Sequence, residues 1–145
     1  MSDDFRHRTS VQVRFRDIDA FGHVNNAVFF SYVELARIRY LLDVLKVEAD
    51  FSTLPLILAR VELDFRAPIF FEDELEVATR IGRIGNTSFA MSHRVTAGAD
   101  KRLVADVETV LVTYDYATAS PIRVPDEWRA EIDAFEGRPA AMAAT

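Results

Sequence analysis

Residues 26–46 read Asn-Ala-Val-Phe-Phe-Ser-Tyr-Val-Glu-Leu-Ala-Arg-Ile-Arg-Tyr-Leu-Leu-Asp-Val-Leu-Lys, and they decide the fold. Phe29, Val33, Ala36, Tyr40 and Val44 fall on one face at helical spacing, with no polar residue among them. Val28, Phe30, Leu35, Leu41, Leu42 and Leu45 add apolar surface on the other sides. A helix this apolar does not lie on a domain surface with half its girth in water. It must be wrapped by the rest of the chain or covered by a second subunit.

The flanking sequence supplies the wrapping. Upstream, residues 11–16 (Val-Gln-Val-Arg-Phe-Arg) alternate apolar and polar, which predicts a half-buried strand. Downstream, from Ala59 to Arg66, every odd position is apolar and every even one charged, the pattern of a strand with one face on a core. Residues 74–84 and 87–96 predict two more strands, with Gly85-Asn86 as a hairpin turn between them. Residues 102–116 form a long last strand, and a short helix is expected over about 126–135. The order strand, long helix, four strands, short helix predicts a single α+β domain over 1–145. It is an antiparallel five-stranded sheet wrapped around one long helix, plus a short C-terminal helix. Residues 1–9 and 137–145 are expected to be flexible.

Composition narrows the function classes. The 145 residues, half of them hydrophobic, suit one domain with a sizeable core. The absence of cysteine excludes disulfides, thiolate metal sites and a cysteine nucleophile. With a net charge of −6 and no dense Lys/Arg cluster, no nucleic-acid partner is expected, although a few arginines suffice for a small anion. The charged first residues lack the apolar run of a secretion signal, and no stretch approaches the roughly 20 apolar residues of a membrane span. The expectation is a cytoplasmic protein with no membrane partner.

The stretch that can carry chemistry is Asp17-Ile18-Asp19-Ala20-Phe21-Gly22-His23-Val24-Asn25-Asn26, between the first strand and the apolar helix. A helix N-terminus exposes unpaired backbone N–H groups and a positive dipole end, which polarise a carbonyl and hold the oxyanion formed when it is attacked. A carboxylate just upstream can act on the same carbonyl as a base on water or as the nucleophile itself. The plain alternative is local structure: Asp, Asn and Gly before a helix are common caps and turn formers, and Asn25 is a good N-cap.

Taken with Val13-Arg14-Phe15-Arg16 before it and Tyr32-Val33-Glu34-Leu35-Ala36-Arg37 after it, this block resembles the N-terminal signature of the 4-hydroxybenzoyl-CoA thioesterase-like proteins. It is similar in particular to the bacterial acyl-CoA thioesterase branch, with its Asp-x-Asp-x-x-Gly-His-Val-Asn-Asn motif. Val61-Glu62-Leu63-Asp64-Phe65, with Pro68, Asp73 and Leu75, looks like that family's second strand and turn. The resemblance implies the hot-dog fold, a homo-oligomer (a dimer or a dimer of dimers) and an acyl-CoA substrate bound at the dimer interface. Independently of the resemblance, the lack of cysteine and of any His/Asp/Glu cluster at a recognisable metal-ligand spacing leads to the expectation of no metal, and no cofactor is expected. The resemblance makes Asp19 the catalytic carboxylate and assigns the polarising backbone N–H to Asn26, with Ala27 as a second candidate.

Gly22 is read as the residue that lets the loop turn sharply beside the ligand, and Asp17 as orienting or capping the loop. Asn25, Phe21 and Phe30 are counted with the substrate-binding residues, the two phenylalanines also being candidates for plain core. His23 has two readings, assistance in catalysis and a structural role beside the turn. Glu34 forms an intrahelical pair with Arg37 or helps organise the site. Coenzyme A phosphates need cationic groups, for which Arg60, Arg80, Arg83 and Arg94 are candidates and Arg83 is preferred.

The function expected is hydrolysis of a fatty or aryl acyl-CoA to free acid and coenzyme A. Two rivals share the fold: an enoyl-CoA hydratase or dehydratase, which uses a histidine with a carboxylate in a different motif, and a non-catalytic acyl-CoA-binding homo-oligomer.

Overall fold

In the computed structural model, which describes residues 5–138, the apolar stripe winds into helix α1 (Asn26–Tyr40). Residues Leu41–Leu45 continue it as one wider π-turn, in which the Lys46 N–H reaches back to the Leu41 carbonyl. Lys46, at φ 54°, ends the helix in the left-handed region. Phe29, Val33, Ala36, Tyr40 and Val44 are all buried, as their spacing requires. The predicted uninterrupted helix over 26–46 is thus α-helical to Tyr40 and π-bonded beyond it.

Six strands form the sheet: β1 (His7–Gln12), β2 (Leu56–Phe65), β3 (Glu74–Ile84), β4 (Ser88–Ala97), β5 (Arg102–Asp115) and the short β6 (Ser120–Pro121). The order is β1-β3-β4-β5-β2, antiparallel throughout, with β6 paired to β5. A second helix, α2 (Asp126–Glu136), packs Ile132 and the partly buried Trp128 and Phe135 beside the π-turn. The curled sheet around one long helix is the architecture that the resemblance implied.

Two expectations need correction. The first strand runs over 7–12 rather than 11–16. It pairs with β3 from His7↔Thr79 to Gln12↔Glu74, and Glu74 is where β3 begins, so no ladder partner exists beyond it. The chain leaves through a 3-10 turn at Phe15–Asp17, closed by the Asp17 N–H on the Arg14 carbonyl (2.9 Å). Nor is the start loose over 5–9: residues 7–9 belong to β1, and Phe5 is buried with the Arg80 and Arg94 guanidinium groups over its ring. At the other end, Gly137 and Arg138 are hydrogen-bonded to the last turn of α2. The rest of both expected flexible ends, 1–4 and 139–145, lies outside the described residues.

The core divides along α1. Phe29, Val33 and Ala36 pack on Val11, Val77, Val95 and Ala105, while Tyr40 and Leu41 pack on Ile81, Phe89, Met91 and Leu111. Between them a polar row crosses the inner face of the sheet: His7, Thr79 and His93, in register on β1, β3 and β4. His7 is bonded to Asp43 (2.8 Å) and His93 Nδ1 to the Thr79 hydroxyl (3.0 Å). Burial, with the nearby Arg37 cation, pushes His93 down to about 3.

One edge of the sheet is left uncovered. Leu58, Val61 and Phe65 of β2 lie opposite Leu111, Thr109 and Ala105 of β5 and therefore share their inner face. Those β5 residues are buried, whereas Leu58, Val61 and Phe65 are 43%, 37% and 45% exposed.

Candidate active site

The loop between the 3-10 turn and α1 is a small closed hairpin. Ile18 and Val24 form an antiparallel bridge, and the Asp19 N–H donates to the His23 carbonyl (3.0 Å). The Gly22 N–H then closes a turn on the Asp19 carbonyl (3.0 Å). Gly22 sits at φ +85°, where a side chain would strain the backbone, so the sharp turn read from the sequence is present. Val24 is buried and its N–H donates to the Ile69 carbonyl (2.8 Å), which ties the hairpin to the segment before β3.

The two aspartates occupy different environments. Asp17 is buried; its Oδ2 accepts from the Tyr32 hydroxyl (2.6 Å) and the Arg14 N–H (2.9 Å), while Arg14 Nη2 lies 3.3 Å from Oδ1. Burial pushes the Asp17 carboxyl up, but the bonds from Tyr32 and Arg14 outweigh it and hold the group below the usual carboxylate range. Asp19 is half-buried. Its Oδ1 accepts from the Phe21 N–H (2.9 Å), and Oδ2 has no hydrogen-bond partner among the described residues. Of the two, Asp19 is the carboxylate with an oxygen to spare for water or substrate.

At the head of α1, Asn25 is the N-cap, and its side-chain oxygen accepts the Ala27 N–H (2.8 Å). The Phe29 N–H is bonded to the Asn25 carbonyl (3.1 Å). The N–H groups of Asn26 and Val28 have no partner among the described residues, so they are the donors the helix end offers. The Ala27 N–H, the second candidate donor, is taken up by the cap. The Val28 N–H, which no sequence pattern marked, is left unpaired beside that of Asn26 among the described residues.

The remaining candidates fall into two groups. His23 and Phe21 stack at 6.1 Å, with Phe21 84% exposed, and Phe30 is also exposed on the first turn of α1. His23 and Phe21 belong to the hairpin itself, and Phe30 is the fifth residue of α1. Glu34 is exposed on α1, one turn before the buried Arg37. The four arginines are elsewhere. Arg83 lies near the end of β3, roughly 30 Å from Glu74 at about 3.3 Å per residue. Alternation fixes a residue's face but not which end of the sheet it occupies, and Arg83 stands toward the end of β3 that leads into the β3–β4 turn. Arg60 faces Glu62 (3.3 Å), and Arg94 lies 3.8 Å from Asp106. Tyr32 and Arg14, which hold Asp17, were not singled out by the sequence; no local signal links Tyr32 to a residue fifteen positions away.

A curled antiparallel sheet around one long helix, with a carboxylate-bearing hairpin at the helix N-terminus, is the setting of this site, and the chain belongs to the thioesterase-like superfamily, whose family model matches residues 13–132. A solved thioesterase from Thermus thermophilus, complexed with coenzyme A and Zn, is similar at 41% identity and a TM-score of 0.83, over 95% of this chain and 99% of that one. The long-chain acyl-CoA thioesterase FadM of Escherichia coli K12 is 23% identical over 87% of this chain and 96% of its own length. The acyl-CoA thioester hydrolase YbgC of Escherichia coli O6:H1 is 28% identical over 86% and 93%.

Proposed function

We propose that the protein is a thioester hydrolase that cleaves acyl-CoA to free acid and coenzyme A. The observation that carries the reading is the pairing of the Asp19 carboxylate, with one oxygen unengaged, and the free Asn26 and Val28 N–H groups of α1. The thioester carbonyl is polarised by those N–H groups, and Asp19 either takes a proton from the water that attacks it or attacks it directly to form a mixed anhydride that water then hydrolyses to the free acid. The developing oxyanion meets fixed donors and the positive end of α1, and the thiolate of coenzyme A departs. Gly22 keeps the turn open to the ligand. Phe21 and Phe30 offer apolar surface to the acyl group, and His23, stacked on Phe21, borders the same space. An acyl-CoA substrate also fits a cytoplasmic enzyme.

We further propose that the working unit is a homo-oligomer built on β2. A ten-residue edge strand with three apolar side chains exposed on its inner face is a template for pairing with a second copy. Such pairing covers Leu58, Val61 and Phe65, and Phe65 touches Phe29 of α1 (5.2 Å between rings), so the interface reaches the first turns of the helix.

The test is free-thiol release from short, long, branched and aryl acyl-CoAs, with an enoyl-CoA included. Release from at least one saturated or aryl thioester supports the reading. Hydration of the enoyl-CoA without thiol release replaces hydrolysis by hydratase chemistry, and tight binding without turnover leaves a binding protein.

A further inference from the structure

We infer that Tyr32 is a positioning residue of this site: through Asp17 it locks the Asp19 hairpin against α1, so that carboxylate and helix N-terminus keep one relative geometry. The kinetic part of the inference rests on the thioesterase reading above; the geometric part does not.

Asp17 is where three segments meet. Its carboxylate takes the Tyr32 hydroxyl from the second turn of α1 and the Arg14 N–H from the exit of β1. Its own carbonyl accepts the N–H of Asn25, the N-cap (2.9 Å). One buried residue thus ties the strand exit, the helix body and the helix cap together, two positions before Asp19. The Tyr32–Asp17 bond is the side-chain link in this set that reaches from the hairpin into the body of the helix, and both partners are almost fully buried. Water does not compete for it, and a hydroxyl bonded to a carboxylate is among the stronger, more directional hydrogen bonds.

The chemistry of the pair separates positioning from catalysis. Burial and the Asp17 charge push the Tyr32 phenol well above its ordinary range, so it remains a donor and is unsuited to proton transfer. Both Asp17 oxygens have a donor, Tyr32 and the Arg14 N–H on Oδ2 and the Arg14 guanidinium on Oδ1, whereas Asp19 has one oxygen without a partner among the described residues. The ring of Tyr32 packs near Phe29 (6.2 Å), a contact that phenylalanine preserves. Removing only the hydroxyl therefore leaves the core filled and releases the hairpin.

The experiment compares wild type, Tyr32→Phe, Asp17→Asn and the double variant by kcat and KM on the best acyl-CoA, and by amide hydrogen exchange over residues 17–25. Tyr32→Phe is expected to keep KM within about twofold and to lose about tenfold or more in kcat, since small misplacements of a reacting group carry penalties of that size. Exchange at the Asp19, Gly22 and Asn25 amides is expected to accelerate. The double variant is expected to fall no further than the worse single one, because the two residues act through one bond. Unchanged kcat and unchanged exchange in Tyr32→Phe overturn the inference, as does a lowered melting temperature alone. If wild type turns over no thioester, the hydrolase reading fails separately, and exchange still decides the lock. If Tyr32→Phe does not fold, Asp17→Asn carries the same expectations and the same refutation.

Discussion

Lowering the pH from 7 to 4.5 is expected to cost the protein about 2–3 kcal/mol of stability through a single side chain, His93. The ring is buried under α1, with Thr79 on Nδ1, Arg37 of the helix as the nearby cation, and His7 two strands away in the same row. Its Nε2 has no hydrogen-bond partner among the described residues, so protonation would place a second positive charge beside Arg37 with nothing to receive it. The sign follows from linkage. The folded-state value is depressed to about 3 from an unfolded value of 6.5, so between those limits the unfolded chain binds the extra proton. Stability is therefore fully present above about pH 6.5 and is lost as pH falls toward 3. At about 1.4 kcal/mol per pH unit, less the rounding near the upper limit, the loss by pH 4.5 is about 2–3 kcal/mol.

For a chain of this length that corresponds to a fall of roughly 5–10 °C in melting temperature. Carboxylates held low, such as Asp17 and Asp73, contribute mainly below about pH 3.9, outside this window. The assay is thermal unfolding at pH 7, 5.5 and 4.5, at fixed protein concentration, for wild type and for His93→Gln, which cannot titrate. Wild type should lose stability faster with acid than the variant does. Parallel loss in the two proteins would refute the reasoning, because the acid sensitivity would then come from other groups.

Two further outcomes can be checked alongside. Wild type should run as the proposed oligomer in sedimentation velocity, and Leu58→Asp with Val61→Asp should convert it to monomer while far-UV circular dichroism stays unchanged; a monomeric wild type would contradict the oligomer, and an oligomer that persists in the variant would place the interface elsewhere than β2. Asn25→Ala should lower stability by about 1 kcal/mol through loss of the cap on the Ala27 N–H, and an unchanged thermal midpoint would contradict the capping role.

How much of this could be read from the sequence depended on whether a residue's role is local. The stripe from Phe29 to Val44 was legible because a helix pressed on a core must repeat its apolar positions. The strands over 74–84 and 102–116 were legible for the same reason at period two. The first half of β1 was not, because its inward positions are His7 and Thr9, and the partner that makes His7 tolerable, Asp43, lies in the π-turn. The hairpin residues Asp19, Gly22 and Asn25 stood out as one contiguous block, and the φ of Gly22 and the cap of Asn25 match what that block asks for. What escaped were relations between distant residues. The Tyr32 hydroxyl reaches back fifteen positions, and the cap redirects the Ala27 N–H and leaves that of Val28 free. Alternation placed Arg83 on a face of its strand and says nothing about its distance along that strand, so its relation to a bound coenzyme A was not legible.

The central claim is that Asp19 does the chemistry, and thiol release by wild type and Asp19→Asn, run side by side on the same acyl-CoA panel, tests it most directly. The substitution keeps an oxygen for the Phe21 N–H and removes the charge, so the hairpin should stay closed while the carboxylate chemistry stops. A fall in kcat on the order of 10²-fold or more, with circular dichroism unchanged, is the predicted result. Turnover that survives the substitution would contradict the account and move the catalytic role to another group at the helix end.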